Sequence, residues 1–280
     1  MNNVTYTNND NIIPLPELDG LSFNQFKSIA FENYSISFPI QIHKNISNDI
    51  LDQIPFLKLT EEFLKIIQRE KVLKLTPTFS LQVKVVKELY DMRIILDEQV
   101  EHGTVKKIIE SEIVIIHNLH IICKLSGLIK KKNNTLTLTS KGTNLIKPEN
   151  RRDLFETIFL TFAFKFNLDY NDGYDDNITG IVARMFIIKL LLSNSNNLQN
   201  ASYYAYKFLY TMPGILDLYD EKSEEVKKRR FLRCFNVRMF ERFFNWFGFT
   251  ETKQIGNYME STDDYEVKVS PMLKDIFYIK

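Results

Sequence analysis

The sequence predicts a mainly helical α+β protein in which a short β-hairpin follows each of two helical segments. Glycine and proline number only 9 and 8 in 280 residues, and long stretches of Leu, Ile, Phe, Lys and Glu favour helix. Two alternating stretches, TLTLT at 135–139 and EVKVS at 266–270, come after a glycine that ends a helical pattern. With 44% hydrophobic residues the chain can form a sizeable core, and its length favours two domains.

Composition excludes several classes of protein. The formal charge is +1, so the chain as a whole is neither a basic nucleic-acid coat nor an acidic tail. Cys123 and Cys234 form no disulfide framework and no CxxC pair, which favours a cytoplasmic protein. The N-terminus does not have the pattern of a signal peptide. The apolar run 181–192 is too short for a membrane span and contains Arg184 and Lys189, so no membrane partner is expected.

The first half of the chain becomes more regular as it proceeds. Residues 1–20 are polar and predict a loose arm, and residues 21–57 predict at most a short helix followed by a strand. Thr60, followed by two glutamates, predicts the start of a helix. Further helices are expected from about 80 to 92 and within 105–127, the latter ending at Gly127.

Residues 126–142, SGLIKKKNNTLTLTSKG, predict a basic hairpin between two helices. The first strand begins at Leu128, and the pair Asn133-Asn134 tolerates the left-handed backbone of a tight turn. In the second strand Leu136 and Leu138 alternate with threonines, so the leucines are expected to face inward. Thr139 or Ser140 then caps a short helix that ends near Ile146.

This order of elements resembles the winged helix-turn-helix superfamily. In that superfamily a recognition helix ends at a glycine, and a hairpin, the wing, leads through an LT-x-x-G turn into another helix. The resemblance covers about residues 60–147, and the matching residues are Leu125, Gly127, Leu128, Leu138, Thr139 and Gly142.

The C-terminal end repeats the plan. A helical pattern ends at Gly248, Phe249 begins a strand, and Ser270-Pro271 opens the last helix after a longer hairpin. The pairs that fall opposite one another are Leu136 and Val267, Leu138 and Val269, Thr139 and Ser270, Leu145 and Ile276, and Ile146 and Phe277.

The whole arrangement resembles a set of uncharacterised bacterial proteins with tandem winged helices, some of which carry an appended SEC-C zinc motif that this chain lacks. We therefore expect two winged-helix units with small β-hairpin wings, bridged by a helical bundle. The predicted divisions are an arm and a poorly defined segment (1–57), a first winged helix (58–148), a linker bundle (149–225) and a second winged helix (226–280).

Positive charge gathers on the two predicted winged helices. Residues 114–148 contain six lysines and no acidic residue, which gives a charge of +6. Residues 227–247 contain seven lysines and arginines and one acidic residue, Glu241, which also gives +6. Lysines and arginines in such positions contact phosphates and release counterions. The predicted DNA contacts are Lys124, Lys130, Lys131, Lys132, Lys141, Arg229, Arg230, Arg233 and Arg238. Reading of bases is assigned to Asn118 and Lys124 in the first unit and to Arg233, Asn236 and Arg238 in the second.

Three other features each have a functional and a structural interpretation. His117, His120 and Cys123 share one side of a helix and suit a metal, but their apolar neighbours favour buried histidines. The acidic stretch 169–177 lacks the spacing of a calcium loop, so a solvated turn is favoured. The aromatic cluster around Trp246 is either an exposed docking surface or part of the core.

No catalytic motif is present in the sequence, and no cofactor is expected. The leading hypothesis is a non-enzymatic protein that binds double-stranded DNA, in regulation or in mobile-element biology. The alternative is an adaptor for a protein partner that uses the winged helices as a scaffold and the aromatic C-terminal helix as its docking surface.

Overall fold

The computed structural model describes residues 10–169, 172–174, 178–195, 197–255 and 264–280. Over these residues the protein is mainly helical with small antiparallel sheets, which confirms the α+β class. The helices are α1 (Phe23–Phe31), α2 (Asn48–Leu51), α3 (Pro55–Glu70), α4 (Val83–Asp91), α5 (Glu98–Glu101), α6 (Val114–Leu125), α7 (Ser140–Leu145), α8 (Arg151–Phe164), α9 (Ile178–Ser193), α10 (Ala201–Thr211), α11 (Glu224–Phe235) and α12 (Leu273–Ile276). The strands are β1 (Pro14–Leu15), β2 (Leu21–Ser22), β3 (Ile40–Ile42), β4 (Leu73–Lys74), β5 (Ile129–Lys132), β6 (Thr135–Leu138), β7 (Gln199–Asn200), β8 (Thr250–Gln254), β9 (Tyr265–Val269) and β10 (Phe277–Ile279).

The chain divides into two compact units, each with its own core. The first unit comprises Asn45–Phe166 together with Trp246–Gly248, and the second comprises Met1–Lys44, Asn167–Asn245 and Phe249–Lys280. Helix α8 therefore falls in the first unit, whereas α9 and α10 fall in the second. The two units are described separately below.

In the first unit, α3 packs against α4, α8 and a three-stranded sheet of order β4-β6-β5. The helix begins at Pro55 rather than at the expected Thr60, because proline at the first helical position suits its fixed backbone angle. The Thr60 hydroxyl instead donates to the carbonyl of Phe56 within the helix, at 2.7 Å. Pairing of β4 with β6, through Leu73 opposite Leu136, was not expected from the sequence.

The hairpin of the first unit has the predicted strands, turn and cap. Gly127 ends α6 with φ of 72°, and Asn133 forms the turn with φ of 54°. The Thr139 side chain accepts a hydrogen bond from the backbone N–H of Gly142 at 3.0 Å, which caps α7. Gly142 lies so close to the hairpin that an added Cβ would be 2.1 Å from the Leu128 carbonyl oxygen, and only glycine fits.

The second unit begins with a folded segment rather than a loose arm. From residue 10 the chain forms the β1–β2 pair, in which Leu18 and Leu21 are buried, so apolar burial fixes this part of the expected arm. Asp19 accepts hydrogen bonds from Lys189 at 2.8 Å and Lys207 at 3.0 Å. Partial burial raises the pKa of Asp19, but the two lysines lower it further, so the net shift is downward. Residues 1–9 lie outside the described residues.

The second unit contains a sheet built like that of the first. Its order is β7-β9-β8, and a glycine with positive φ, Gly248 at 70°, precedes it as Gly127 precedes the other. The backbone of Ser270 donates to Phe249 as Thr139 does to Leu128, and Phe249 donates to Phe244 as Leu128 does to Cys123. The internal repeat read from the sequence is therefore present at the level of backbone hydrogen bonds. The boundary expected at residue 226 would separate β7 from this sheet.

A π-helix, Asn236–Phe244, continues α11 in the second unit. Its backbone hydrogen bonds join residues five positions apart. Its buried residues are Asn236, Arg238, Met239, Phe240, Phe243 and Phe244, and all but Arg238 recur at the three- and four-residue spacing of one helical side.

Candidate nucleic-acid interface

The register of the first unit's sheet places three lysines on one outward side. Lys74 on β4 and Lys132 on β5 both lie opposite Thr135 of β6, and Lys130 lies opposite Thr137. Directly opposed residues of antiparallel strands point to the same side of the sheet, so these five side chains share one surface. We call it the lysine face. All three lysines are exposed and no carboxylate belongs to the surface.

Lys131 lies on the other side of the same strand. Its opposed residue is Leu136, which is buried together with Leu73 in the core of the first unit. The Lys131 ammonium is 3.3 Å from the centre of the Phe79 ring, a cation–π contact. The three consecutive lysines, expected to act together, are thus split between two sides because strand residues alternate.

Phe79 occupies a strained and exposed position. In the loop after β4, Thr76 and Ser80 are hydrogen bonded at 2.9 Å, and the N–H of Phe79 donates to Thr76. Phe79 has φ of 65°, in the left-handed region that glycine or asparagine normally fills in such three-residue loops. This conformation costs about 1–2 kcal/mol, whereas an exposed cation–π contact returns about 0.5–1 kcal/mol. Phe79 is 47% exposed, so only about half of its surface is buried.

A polar groove of about 450 Å³ adjoins the lysine face. It is lined by Lys130, Leu138, Thr139, Ser140, Thr143, Asn144 and Lys147. Hydroxyl, amide and ammonium groups are the side chains that contact sugar and phosphate in nucleic-acid complexes. The groove therefore extends the surface of the lysine face with the same chemistry.

Lys124 and Lys141 are placed differently from the lysines of the sheet. Lys124 is exposed near the end of α6. The Lys141 ammonium donates to the backbone carbonyl of Ser126 at 3.0 Å, at the C-terminal end of that helix. Burial lowers the pKa of Lys141, and the charge of Lys165 adds to the effect. Lys141 thus has a structural partner, since cations stabilise the C-terminus of a helix.

The chain segments that form this sheet carry no acidic residue in sequence. Residues 71–87, which contain β4, the Phe79 loop and the start of α4, include four lysines and neither Asp nor Glu. Residues 114–148, which contain α6, β5, β6 and α7, include six lysines and again no acid. Both segments belong to the first unit, so the lysines of the sheet come from two stretches without acids, although residues 88–113 between them carry seven acidic and three basic residues.

Helix α6 does not present the expected polar reading residues. Asn118, a predicted base contact, is 2% exposed and lies in the core, because the helix buries most of its circumference. His120 is also buried, and its Nδ1 is 2.8 Å from the carboxylate of Glu110, with His117 Nδ1 at 3.2 Å. Apart from Lys124 and the partly exposed His117, which contacts Glu110, α6 offers no group suited to reading a base edge.

The carboxylate of Glu110 is the centre of a buried polar cluster. Besides the two histidines it accepts a hydrogen bond from the backbone N–H of Leu81, which ties the loop before α4 to α6. Burial raises the pKa of Glu110, but the histidine hydrogen bonds lower it more, to about 2. The metal interpretation fails here. Both histidines bind Glu110, Cys123 is buried with a raised thiol pKa, and the described residues contain no three-residue metal cluster.

Two of the predicted DNA contacts in the second unit are buried. Arg238 is 0% exposed, and its Nε is 2.5 Å from the equally buried carboxylate of Asp172, so it cannot reach a phosphate. Asn236 is 3% exposed. Their polar side chains suggested an outward position, but both belong to the buried residues of this helix. Of the expected acidic turn, Asp172 is thus an ion-pair partner, and residues 175 and 176 lie outside the described residues.

The other three arginines predicted as DNA contacts in the second unit lie on α11. Arg229 and Arg233 are exposed, and Arg230 pairs with Glu221 at 2.5 Å. All three line a groove of about 390 Å³ together with Asp172, Gly173, Tyr174 and Val226. The positive charge of this helix is therefore partly neutralised, and two of the four arginines predicted as contacts remain exposed.

The second unit's sheet provides an internal comparison for the lysine face. The positions that correspond by register to Lys74, Lys130, Lys132, Thr135 and Thr137 are Asn200, Glu251, Lys253, Glu266 and Lys268. Two lysines and two glutamates cancel there, and Lys268 pairs with Glu251 at 3.0 Å. The same backbone frame thus carries three positive charges outward in one unit and none in the other. Glu260 and Asp263 of this hairpin lie outside the described residues.

The aromatic cluster near the C-terminus is core rather than surface. Trp246 is 8% exposed, and Phe243, Phe244 and Phe247 are fully buried. In the first unit Phe56 packs against both Trp246 and Phe247. The prediction that these rings form an exposed docking surface for a protein partner is therefore wrong, because they are buried in the core.

Comparisons with protein-family models, with curated proteins and with solved structures each found no match. None of the helices in the described ranges has the length and apolar character that crossing a bilayer requires.

Three residues of the lysine face, and Phe79 outside it, were not predicted as functional from the sequence. Lys74 was overlooked because β4 is only two residues long, although LKL at 73–75 alternates as a strand does. Thr135 and Thr137 were assigned outward but given no role. Phe79 left no signal, since nothing in the sequence marks its positive φ.

Proposed function

We propose that the first unit is a winged helix that binds DNA through its phosphates, with little reading of base sequence. The order of helix α3, strand β4, helices α4 and α6, then strands β5 and β6 supports this fold, as does the strand order β4-β6-β5. The β5–β6 hairpin is the wing. The observation that carries the function is the lysine face, with three exposed ammonium groups, two hydroxyls and no carboxylate.

Binding without base reading follows from α6. A winged helix that discriminates between bases places hydrogen-bonding side chains outward on its recognition helix. Here the half-exposed and exposed positions are mostly apolar, at Val114, Ile121 and Leu125. Backbone contacts from the wing and from the adjoining groove therefore dominate the proposed complex.

We propose that the second unit is also a winged helix, formed by α9, β7, α10, α11, β8 and β9. The shared sheet order and backbone hydrogen bonds support the proposal. Its outward sheet surface is neutral, so any DNA contact from this unit falls to Arg229 and Arg233 on α11. We expect its contribution to affinity to be smaller than that of the first unit.

The test is the salt dependence of binding to a labelled random-sequence duplex, followed by fluorescence anisotropy. Four contacts from Lys74, Lys130, Lys132 and Lys147 predict a slope of log affinity against log salt of about −3.6, or about a 150-fold loss from 50 to 200 mM. Absence of binding at 50 mM salt would refute the proposal.

The alternative function, an adaptor for a protein partner, has lost the surface expected for it, because Trp246 and its neighbours are buried. An adaptor would have to use another part of the molecule. A pull-down that survives nuclease treatment distinguishes this alternative from DNA binding.

A further inference from the structure

Phe79 occupies a position whose backbone conformation favours glycine. Its left-handed backbone is unfavourable for an aromatic residue, its ring is 47% exposed, and its one described ring contact is with Lys131. Strain of this kind persists where the surrounding structure fixes it, and it gathers at functional sites. The hydrogen bonds between Thr76 and Ser80 on either side of Phe79 fix it here.

The surroundings of the ring select the chemistry of a partner. The charged side chains that flank it in sequence, over residues 71–87, are all lysines, and the ring itself carries the Lys131 ammonium on one side. An aromatic ring that contacts an ammonium group, in a stretch whose charged residues are all lysines, suits a partner with a flat π-system and negative charge. A nucleobase joined to its phosphates has both.

The position of the ring selects the form of nucleic acid. The lysine face includes Lys130 and Lys132, whereas Lys131 and the ring that it contacts lie on the other side of β5. β5 is an edge strand, since the sheet order is β4-β6-β5. A partner that touches both must turn around an edge of the sheet within a short length. A duplex, with a persistence length of about 150 base pairs, is too stiff to do so, whereas a single strand is flexible enough.

We propose that the protein binds single-stranded nucleic acid, with phosphates on the lysine face and an unpaired base stacked on Phe79. This inference rests on the proposed function and narrows its substrate class. Duplex binding through the lysine face alone is then the weaker mode, because it leaves Phe79 unused.

The experiment compares a single-stranded 20-mer of mixed sequence with the corresponding duplex, by anisotropy at 100 mM salt. Wild-type protein is expected to bind the single strand more tightly. Phe79→Gly is expected to weaken single-strand binding about 5- to 150-fold, the equivalent of about 1–3 kcal/mol per stacked base, and to leave duplex binding unchanged. Phe79→Tyr retains an aromatic ring and is expected to retain affinity.

A second readout separates stacking from a structural effect. A 2-aminopurine base in the single strand is expected to change its fluorescence on binding wild type and not on binding Phe79→Gly. Glycine suits φ of 65°, so this variant is expected to unfold at the same or a higher urea concentration than wild type. Should it fold poorly, Phe79→Asn, which also tolerates this conformation, takes its place.

The outcomes distinguish the two proposals. Unchanged single-strand affinity in Phe79→Gly, together with a loss in Lys130→Ala/Lys132→Ala, would overturn the stacking role and leave the lysine face in place. Equal affinity for duplex and single strand in wild type would also overturn it. Absence of binding to either form would remove the proposed function and this inference together.

Discussion

The lysine face predicts that neighbouring lysines on one strand differ in their effect on DNA binding. Lys130 and Lys132 point outward and Lys131 points to the opposite side. The double variant Lys130→Ala/Lys132→Ala is therefore expected to lose duplex affinity, whereas Lys131→Ala is expected to retain most of it. Lys131→Ala is a matched control, since it has the same residue type, strand and exposure.

The magnitude follows from counterion release. Each phosphate contact contributes about 0.9 to the slope of log affinity against log salt for duplex DNA, so the double variant is expected to lose about 1.8. At 100 mM salt this corresponds to about a 60-fold lower affinity. Lys131→Ala removes one charge that does not contact the duplex, so its slope is expected to stay within about 0.3 of wild type.

The assay is a titration of the labelled random-sequence duplex at four salt concentrations from 50 to 200 mM, with circular dichroism to verify folding. Equal slopes for the double variant and wild type would refute the assignment of the lysine face. Per-lysine losses that are the same in Lys131→Ala and in the double variant would show that net charge, and not the alternation of the strand, governs binding.

Three further predictions concern stability. Gly142→Ala is expected to lower the free energy of unfolding in urea by about 1–3 kcal/mol, because the new methyl group meets the Leu128 carbonyl oxygen at 2.1 Å. Arg238→Met is expected to cost about 3–5 kcal/mol by leaving Asp172 charged and buried, and Asp172→Asn in the same chain is expected to recover part of that loss. Because the pKa of Glu110 is lowered to about 2 in the folded protein, its ionised carboxylate stabilises the fold by up to about 3 kcal/mol, and this contribution is complete above about pH 4.5. The contribution is lost as the pH falls toward 2. Glu110→Gln is therefore expected to flatten the dependence of the free energy of unfolding in urea on pH between 4.5 and 2.

Each of these predictions has a control within the chain. Gly214→Ala, where the nearest atom to an added Cβ is 3.9 Å away, is expected to be nearly neutral, and an equal loss there would contradict the steric argument for Gly142. Arg229→Ala, at an exposed position, is expected to have little effect on stability, unlike Arg238→Met. A pH profile below 4.5 that is the same in Glu110→Gln as in wild type would contradict the role of Glu110.

Local sequence signals predicted the hairpin of the first unit and its cap. Gly127, Asn133 and Thr139 act through their own backbone or through residues three positions away, so the information is contained within a few residues. The similarity of the two hairpins was also predictable from local signals, because Gly127 and Gly248 each end a helical segment with positive φ.

What the sequence could not supply depends on the pairing of distant residues. The lysine face requires Lys74 to lie opposite Thr135, residues 61 positions apart in sequence. The buried arginine Arg238 requires its ion pair with Asp172, 66 positions away in sequence. Asn118 seemed suited to reading bases because helical spacing alone does not show which side of α6 the core covers.

The two sheets of this chain suggest a history of duplication and divergence. Each is held by backbone hydrogen bonds and inward apolar residues, and neither depends on the outward positions at which the two copies differ most in charge. Two changes, Glu251→Lys and Glu266→Thr, would give the second copy the same outward charge as the first, since Lys253 and Lys268 are already present. The outward residues of either sheet can therefore change, and with them the charge of its surface, while the backbone hydrogen bonds and inward residues that maintain the fold stay the same.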